Sequence, residues 1–410
     1  MSAAASSPQS ESESEDPEPY SRGAPAARLF TPAYIDLLIS EALFGFSYAL
    51  FVLLPKLLAV SYGATASQIG AVMAAFGVAS LVTIPLIAPI VKRLDCRRTM
   101  VLGTFLLGAA AFGFTFIHSA GLLAAVLRGA QGIAWSLTFA AGMSLVADVA
   151  PPVRLGQGIG LYGAVALATS ALGPAVAEPL AARFGARALF LLSAIVAFAG
   201  AWFCRRLPTG AAPESAAATP AKAAKSGAAR SRAVVIGVLA VGSMASAVVS
   251  TFVAPFALKH GIVAVRGFFI AYTLTALAVR IGATRLVDRL GRRNTAFAGA
   301  AGYGLVMVAM AAAGPEHLIP LGAAFGVVHG IVFPALMALV LGEVAREERP
   351  RLLAFANGAI NLGITGLGAI GAIADHAGYA AVFGVTGAIT TMTAGLLLLP
   401  RRSRVFASST

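Results

Sequence analysis

Charge is what this chain has least of. Only 11% of its 410 residues are Asp, Glu, Lys or Arg, where a soluble domain carries about 25%. Hydrophobic residues make up 58% and the mean hydropathy is +0.84, a composition that excludes a soluble globular domain and predicts a chain crossing a bilayer many times. Cysteine is nearly absent: Cys96 and Cys204 both fall in basic turns, and a disulfide framework is excluded. No C-x-x-C or H-E-x-x-H spacing offers a metal site, and no phosphate-binding loop offers ATP as an energy source. There is no G-x-S-x-G and no Ser/His pairing at depth, so an enzyme is not expected, and neither is a cofactor. Acid is scarcer than base, leaving a formal charge of +13. The basic residues are scattered over short turns and form no continuous face, which argues against a nucleic-acid partner and for a membrane-orientation signal. The polar stretch from Met1 to Pro32 lacks the apolar core of a signal peptide. Its acidic run Glu11 to Asp16 reads as a disordered solvated tail, with a phosphorylated or docking segment as the alternative.

What the chain does have is apolar runs. A helix needs ~20 residues to cross the hydrocarbon, and twelve stretches qualify, at roughly 33–58, 67–91, 99–117, 120–146, 158–182, 187–204, 232–258, 264–287, 294–313, 316–342, 352–375 and 379–399. The expected fold is therefore an all-α membrane protein of twelve transmembrane helices in two six-helix, pseudo-symmetric halves. The expected divisions are an acidic cytosolic tail (1–32), a first half (33–206), a cytosolic linker rich in Ala, Pro, Ser and Lys (207–231), a second half (232–400) and a short tail (401–410). With the N-terminus inside, 23 of the 30 Lys and Arg fall on the cytosolic side and five outside. The positive-inside rule then places both termini in the cytosol and the chain in the cell (inner) membrane.

Two basic turns mark a duplication. Thr284 to Arg293, between the eighth and ninth runs, contains Asp288, Arg289, Gly291, Arg292 and Arg293. Its counterpart, Ala88 to Arg98, sits between the second and third runs with its acid and its glycine altered: Lys92 occupies the acid position. Arg128-Gly-Ala-Gln131-Gly132 in the fourth run aligns with Gly326-Val-Val-His329-Gly330 in the tenth, and Gly173-Pro174 in the fifth with Gly366-Leu367 in the eleventh. Parallel six-span repeats are one of the transporter architectures.

At these residues the chain resembles the major facilitator superfamily, over nearly its whole length after the N-terminal tail. The second turn matches the family's G-x-x-x-D-R-x-G-R-R except at the first glycine. Arg128-x-x-Gln131-Gly132 resembles the fourth-span motif linked to proton coupling, and Gly173-Pro174 the fifth-span motif of exporters, although the later glycines are missing and Glu178-Pro179 follow. The resemblance implies that the acid of the turn latches the cytosolic gate. Lys92 cannot do this, so Asp288 is expected to carry the latch, facing the start of the fifth span around Gly156–Gly158.

Few ionisable groups lie within the runs, and a charge at a helix centre costs ~2.5–3.5 kcal/mol on insertion scales, so each is a functional candidate. Glu41 shares a helical face with Phe44, Tyr48 and Phe51 and is a candidate proton-coupling or cation-binding carboxyl, the alternative being a structural acid. Arg128 shares a face with Gln131 and Trp135; it either serves coupling through an anionic partner or clamps backbone carbonyls. About ten residues of depth, roughly 15 Å of helix, separate Glu41 from Arg128, so any communication is expected to run through water or through Tyr48 and Gln131. His329, with Phe325 and Phe333 on its face, is either a substrate or proton group or a packing histidine. Asn357 and Asn361 either line a cavity or join two helices, and Tyr272 is a midplane cavity candidate. Asp36, Arg280, Glu178 and Asp375 lie near span ends, where interfacial salt bridges are expected.

The expected function is proton-coupled export of a small, partly apolar organic molecule such as a drug, secondary metabolite or siderophore-like compound. The rivals are an importer of the same fold and a non-transporting membrane receptor. The expected partners are the lipid bilayer, the solute and protons, with the chain acting as a monomer.

Overall fold

The computed structural model describes residues 28–209, 226–282, 291–342 and 349–399. In hydrocarbon every backbone N–H and C=O must be bonded within the chain, which leaves helices as the solution for apolar runs of this length. The helices are α1 (Pro32–Leu50), α2 (Leu54–Tyr62), α3 (Ala66–Gly113), α4 (Leu122–Val149), α5 (Leu155–Cys204), α6 (Ser226–Lys259), α7 (Arg266–Gly282), α8 (Arg292–Ala312), α9 (Leu318–Leu341), α10 (Arg349–Thr365) and α11 (Leu367–Gly395). Helix α6 starts at Ser226, inside the stretch read from sequence as linker. A short 3₁₀ turn, Phe51–Leu53, joins α1 to α2.

Local sequence sets the ends. Thr31 caps α1, its Oγ1 accepting from Tyr34 N at 3.2 Å, with Pro32 in the first turn where its missing N–H costs nothing. Thr65 and Gln68 form a reciprocal capping box at the start of α3, at 3.3 and 3.0 Å.

Among the described residues, eight helical runs are long and apolar enough to cross a membrane. Three of the helices, α3, α5 and α11, are broken internally by a residue with positive φ: Asp95 (φ 65°, ψ 167°), Gly185 (79°, 170°) and Gly378 (81°, 165°). Dividing the runs at these breaks and adding α7 gives twelve helical segments among the described residues. Asp95 is the unexpected one. It occupies the position that Gly291 (φ 76°) holds in the second turn, so the two copies share a backbone conformation although only one kept the glycine. Its carboxylate compensates in part by capping the following segment, accepting from Arg98 N at 2.8 Å.

The first basic turn and the described end of the second (291–293) define what is here called the basic end of the bundle. The halves meet where the first part of α3 packs on α10 and α11, where α5 meets α7, and where α2 meets α6. Backbones approach very closely along this seam. A methyl group on Gly70 would lie 2.3 Å from the Leu367 carbonyl, and one on Gly371 2.3 Å from that of Ala66. Such contacts replace the missing hydrophobic drive between helices in lipid with direct van der Waals packing.

Candidate functional site

Arg128 is buried about two turns into α4, 4% exposed. Its Nη1 donates to Gln131 Oε1 at 2.6 Å, and its guanidinium lies 4.9 Å from the Phe76 ring centre and 5.6 Å from that of Tyr48. Trp135 completes the box, 4.7 Å from Tyr48. Gly132 makes the arrangement possible: its missing side chain lets α4 close on the Phe76 carbonyl, and Ser80 bonds the Gly132 carbonyl at 2.9 Å. Arg128 Nε and Gln131 Nε2 are buried without a hydrogen-bond partner. A buried cation with an idle donor is costly.

Glu41 lies in a separate compartment. Its carboxylate, on a residue 5% exposed, accepts from Tyr162 Oη at 2.5 Å. Gly142 opens the space for that hydroxyl, since a methyl group there would sit 2.1 Å from it. Glu41 and Arg128 form no ion pair. Tyr48 turns to Arg128, while Phe51 is spent on packing against Phe114 and Phe190 at 5.0 and 5.5 Å. Tyr162 was not among the residues singled out from sequence. The available signal was the helical face Tyr162, Ala166, Thr169, Gly173, which runs along α1: Thr169 fits against Gly45, and Gly173 against the Ala49 carbonyl beside Pro174.

The second half carries its own aromatic cluster. His329 Nδ1 shares a hydrogen bond of 3.0 Å with Tyr303 Oη, and its ring lies 5.2 Å from Tyr272 and 4.9 Å from Phe333. By the internal repeat, His329 takes the place of Gln131, and Gly330 approaches the Ala276 carbonyl of α7 as Gly132 approaches Phe76 in α3. Asn361 donates to Asn357 O at 3.0 Å and Oδ1 at 3.2 Å, and its backbone abuts Gly77 across the seam. Its amide is thus engaged within α10, at the joint between halves.

At the end opposite the basic turns, two acids bind across the seam. Glu178 of α5 forms a buried ion pair with Lys56 and accepts from Val265 N (3.0 Å) and Arg266 N (2.8 Å) at the start of α7. Asp375 of α11 accepts from Ala66 N (2.8 Å), Ser67 N (2.9 Å) and Ser67 Oγ at the start of α3. Each acid caps a helix N-terminus of the other half, where negative charge is favoured. The salt bridge expected of Glu178 is present. That expected of Asp375 is replaced by amide and hydroxyl donors, because no cation of the first half reaches it. Asp36 and Arg280 form no ion pair among the described residues.

In the second basic turn, Asp288 and Arg289 lie outside the described residues. Gly291 carries the positive φ, Arg292 opens α8, and Arg293 reaches across to bond the carbonyls of Leu397 and Leu399 at the end of the last segment. At the expected docking point of the latch, no neighbour among the described residues would touch a methyl group on Gly156, whereas the Gly158 carbonyl is taken by Tyr34 Oη at 2.8 Å.

Two repeated bundles enclosing isolated polar groups at membrane depth define a polytopic membrane transporter. The chain belongs to the major facilitator superfamily: the model of that family, described as Major Facilitator Superfamily, matches residues 37–311 and 267–408. Solved structures with the same fold include the nucleoside transporter NupG, with TM-score 0.70 and 14% identity over 89% of this chain and 99% of that one. A POT family transporter in complex with a thioalcohol-conjugated peptide gives 0.75 at 11% identity, covering 89% and 95%. The human organic anion transporter MFSD10 gives 0.65 at 17%, covering 89% and 98%. No curated protein matches the chain.

Proposed function

We propose that the chain is a proton-coupled exporter of a small, partly apolar organic molecule. The observation that carries the coupling is Glu41, an acid buried in α1 whose carboxylate accepts a single side-chain hydrogen bond, from Tyr162. A carboxyl in that setting changes charge when water reaches it, which links its proton to the opening and closing of the bundle. The solute is expected between the two aromatic clusters, one holding Tyr48, Gln131 and Trp135, the other Tyr272, His329 and Phe333. Arg128 supplies the idle donor for a solute acceptor or anionic group. Export is favoured by Gly173-Pro174 at the crossing of α5 and α1. The basic end is placed in the cytosol, both termini with it, in the cell membrane.

The test is transport in vesicles with an imposed pH gradient. Glu41→Gln is expected to abolish gradient-driven accumulation while leaving expression intact and solute exchange at equal pH measurable. Unchanged gradient-driven flux in that variant would remove Glu41 from the coupling. Accumulation inside right-side-out vesicles driven by inward proton flow would reverse the direction and make the chain an importer of a small metabolite.

A further inference from the structure

A cavity of about 570 Å³ opens on the outer wall of the first half at the basic end, away from the seam and from both aromatic clusters. It lies where the second part of α3 meets the end of α5. It is lined by three arginines, Arg97, Arg98 and Arg205, and by the apolar residues Leu94, Val101, Leu102 and Phe105. One carboxylate answers these three cations. Asp95 Oδ2 lies 3.6 Å from Arg98 Nε, and Asp95 Oδ1 is already engaged by the Arg98 backbone. Arg97 and Arg205 form no ion pair among the described residues. Below the cations the wall stays apolar and open. Phe105 is 54% exposed and packs on Phe198 at 5.3 Å; Trp202 is 53% exposed, with the Arg206 guanidinium 4.1 Å from its ring. A tryptophan beneath an arginine at the end of a membrane helix marks the level of lipid headgroups.

We propose that this cavity binds the headgroup of an anionic phospholipid, with its phosphate between Arg97, Arg98 and Arg205 and an acyl chain along Leu102 and Phe105. Guanidinium groups match phosphate oxygens in fork geometry, and basic pockets beside membrane helices take acidic headgroups. The apolar lining selects a lipid over a soluble anion or an acidic peptide, neither of which gains from Phe105 or Leu102. Because Asp95 shapes the turn and pairs with Arg98, occupancy also bears on the first basic turn itself.

The chain has two tryptophans, and Trp202 lies beside the cavity, so quenching by brominated lipids reads occupancy. The full-length protein is reconstituted in phosphatidylcholine containing either brominated phosphatidylglycerol or brominated phosphatidylcholine. At about 1 kcal/mol per basic residue near the surface, the preference for the anionic lipid is expected to exceed about tenfold. In Arg97→Gln/Arg98→Gln/Arg205→Gln, which keeps Lys92, Arg93 and Arg206 for orientation, it is expected to fall at least about fivefold from the unmodified protein's value. Equal quenching by the two lipids in the unmodified protein overturns the proposal, and so does a preference untouched by the triple substitution. If the triple variant does not fold, the unmodified protein still decides, because a charge-based preference must weaken as salt is raised. Loss of the preference on adding inorganic phosphate, but not an equal ionic strength of chloride, reassigns the cavity to a small soluble anion. A preference seen only when Glu11, Glu13, Glu15 and Asp16 are neutralised reassigns it to the chain's own acidic tail.

Discussion

At the scale of the residue, Asp95 shows how a motif can lose its letter and keep its geometry. A non-glycine residue at φ 65°, ψ 167° costs on the order of 1–3 kcal/mol, and its cap on Arg98 N recovers about 1 kcal/mol. Asp95→Gly relieves the backbone at a cap cost of a few tenths of a kcal/mol, whereas Asp95→Ala keeps the strain and loses the cap. The expected order of thermal stability in detergent is therefore Gly at or above Asp, and Ala lowest, below Asp by about 1 kcal/mol. An alanine variant as stable as the parent contradicts this reading of the turn. The same scale explains why Glu41 was legible and its partner was not. An acid in an apolar run is conspicuous in sequence, but a tyrosine 121 residues away is one aromatic among many until the helices are packed.

At the scale of the element, helix N-termini organise the end opposite the basic turns. Glu178 and Asp375 lie on corresponding helices of the two repeats, though not at corresponding positions, and each caps the first turn of a helix in the other half. The pairs differ in chemistry. Lys56 is buried with Glu178, so Glu178→Gln leaves an uncompensated ammonium, a loss of roughly 3–5 kcal/mol. Asp375→Asn keeps one acceptor oxygen, enough for the Ala66 or the Ser67 amide but not both, and leaves no charge unpaired; it is expected to cost about 1–2 kcal/mol. Both variants should raise labelling of a cysteine placed at Ala74, which faces Gly368 across the seam, by an impermeant maleimide from that end. The rate is expected to be higher in Glu178→Gln. Equal and unchanged labelling in both would show that glycine packing alone holds this end closed.

At the scale of the whole molecule, the described contacts between halves concentrate at the end opposite the basic turns, where the two acids and the Gly70–Leu367 and Gly371–Ala66 crossings lie. A seam closed at one end is what alternating access between two rocking halves requires of one of its states. The basic turns then act on the other gate. We expect Asp288→Asn to increase accessibility of a cysteine probe at Gly156 when labelled from the basic end. Lys92→Gln, altering an exposed side chain, is expected to leave it within about twofold, as surface changes generally do. Identical behaviour of the two variants would mean that the asymmetry between the turns has no mechanical consequence.

The sequence by itself determined the all-helical membrane fold, the repeat and the candidates Arg128, Glu41 and His329. Hydropathy has a fixed length scale in a bilayer, and a charge in hydrocarbon is costly enough to be rare. It did not reveal that Asp95 would adopt the glycine conformation, that Tyr162 would be the partner of Glu41, or that Asp375 would bind amides in place of a cation. Those outcomes depend on which helix faces oppose one another. That is decided where backbones approach closely enough at Gly132, Gly142 and Gly371 to bring residues far apart in sequence within hydrogen-bond reach, and only the tertiary structure contains that information.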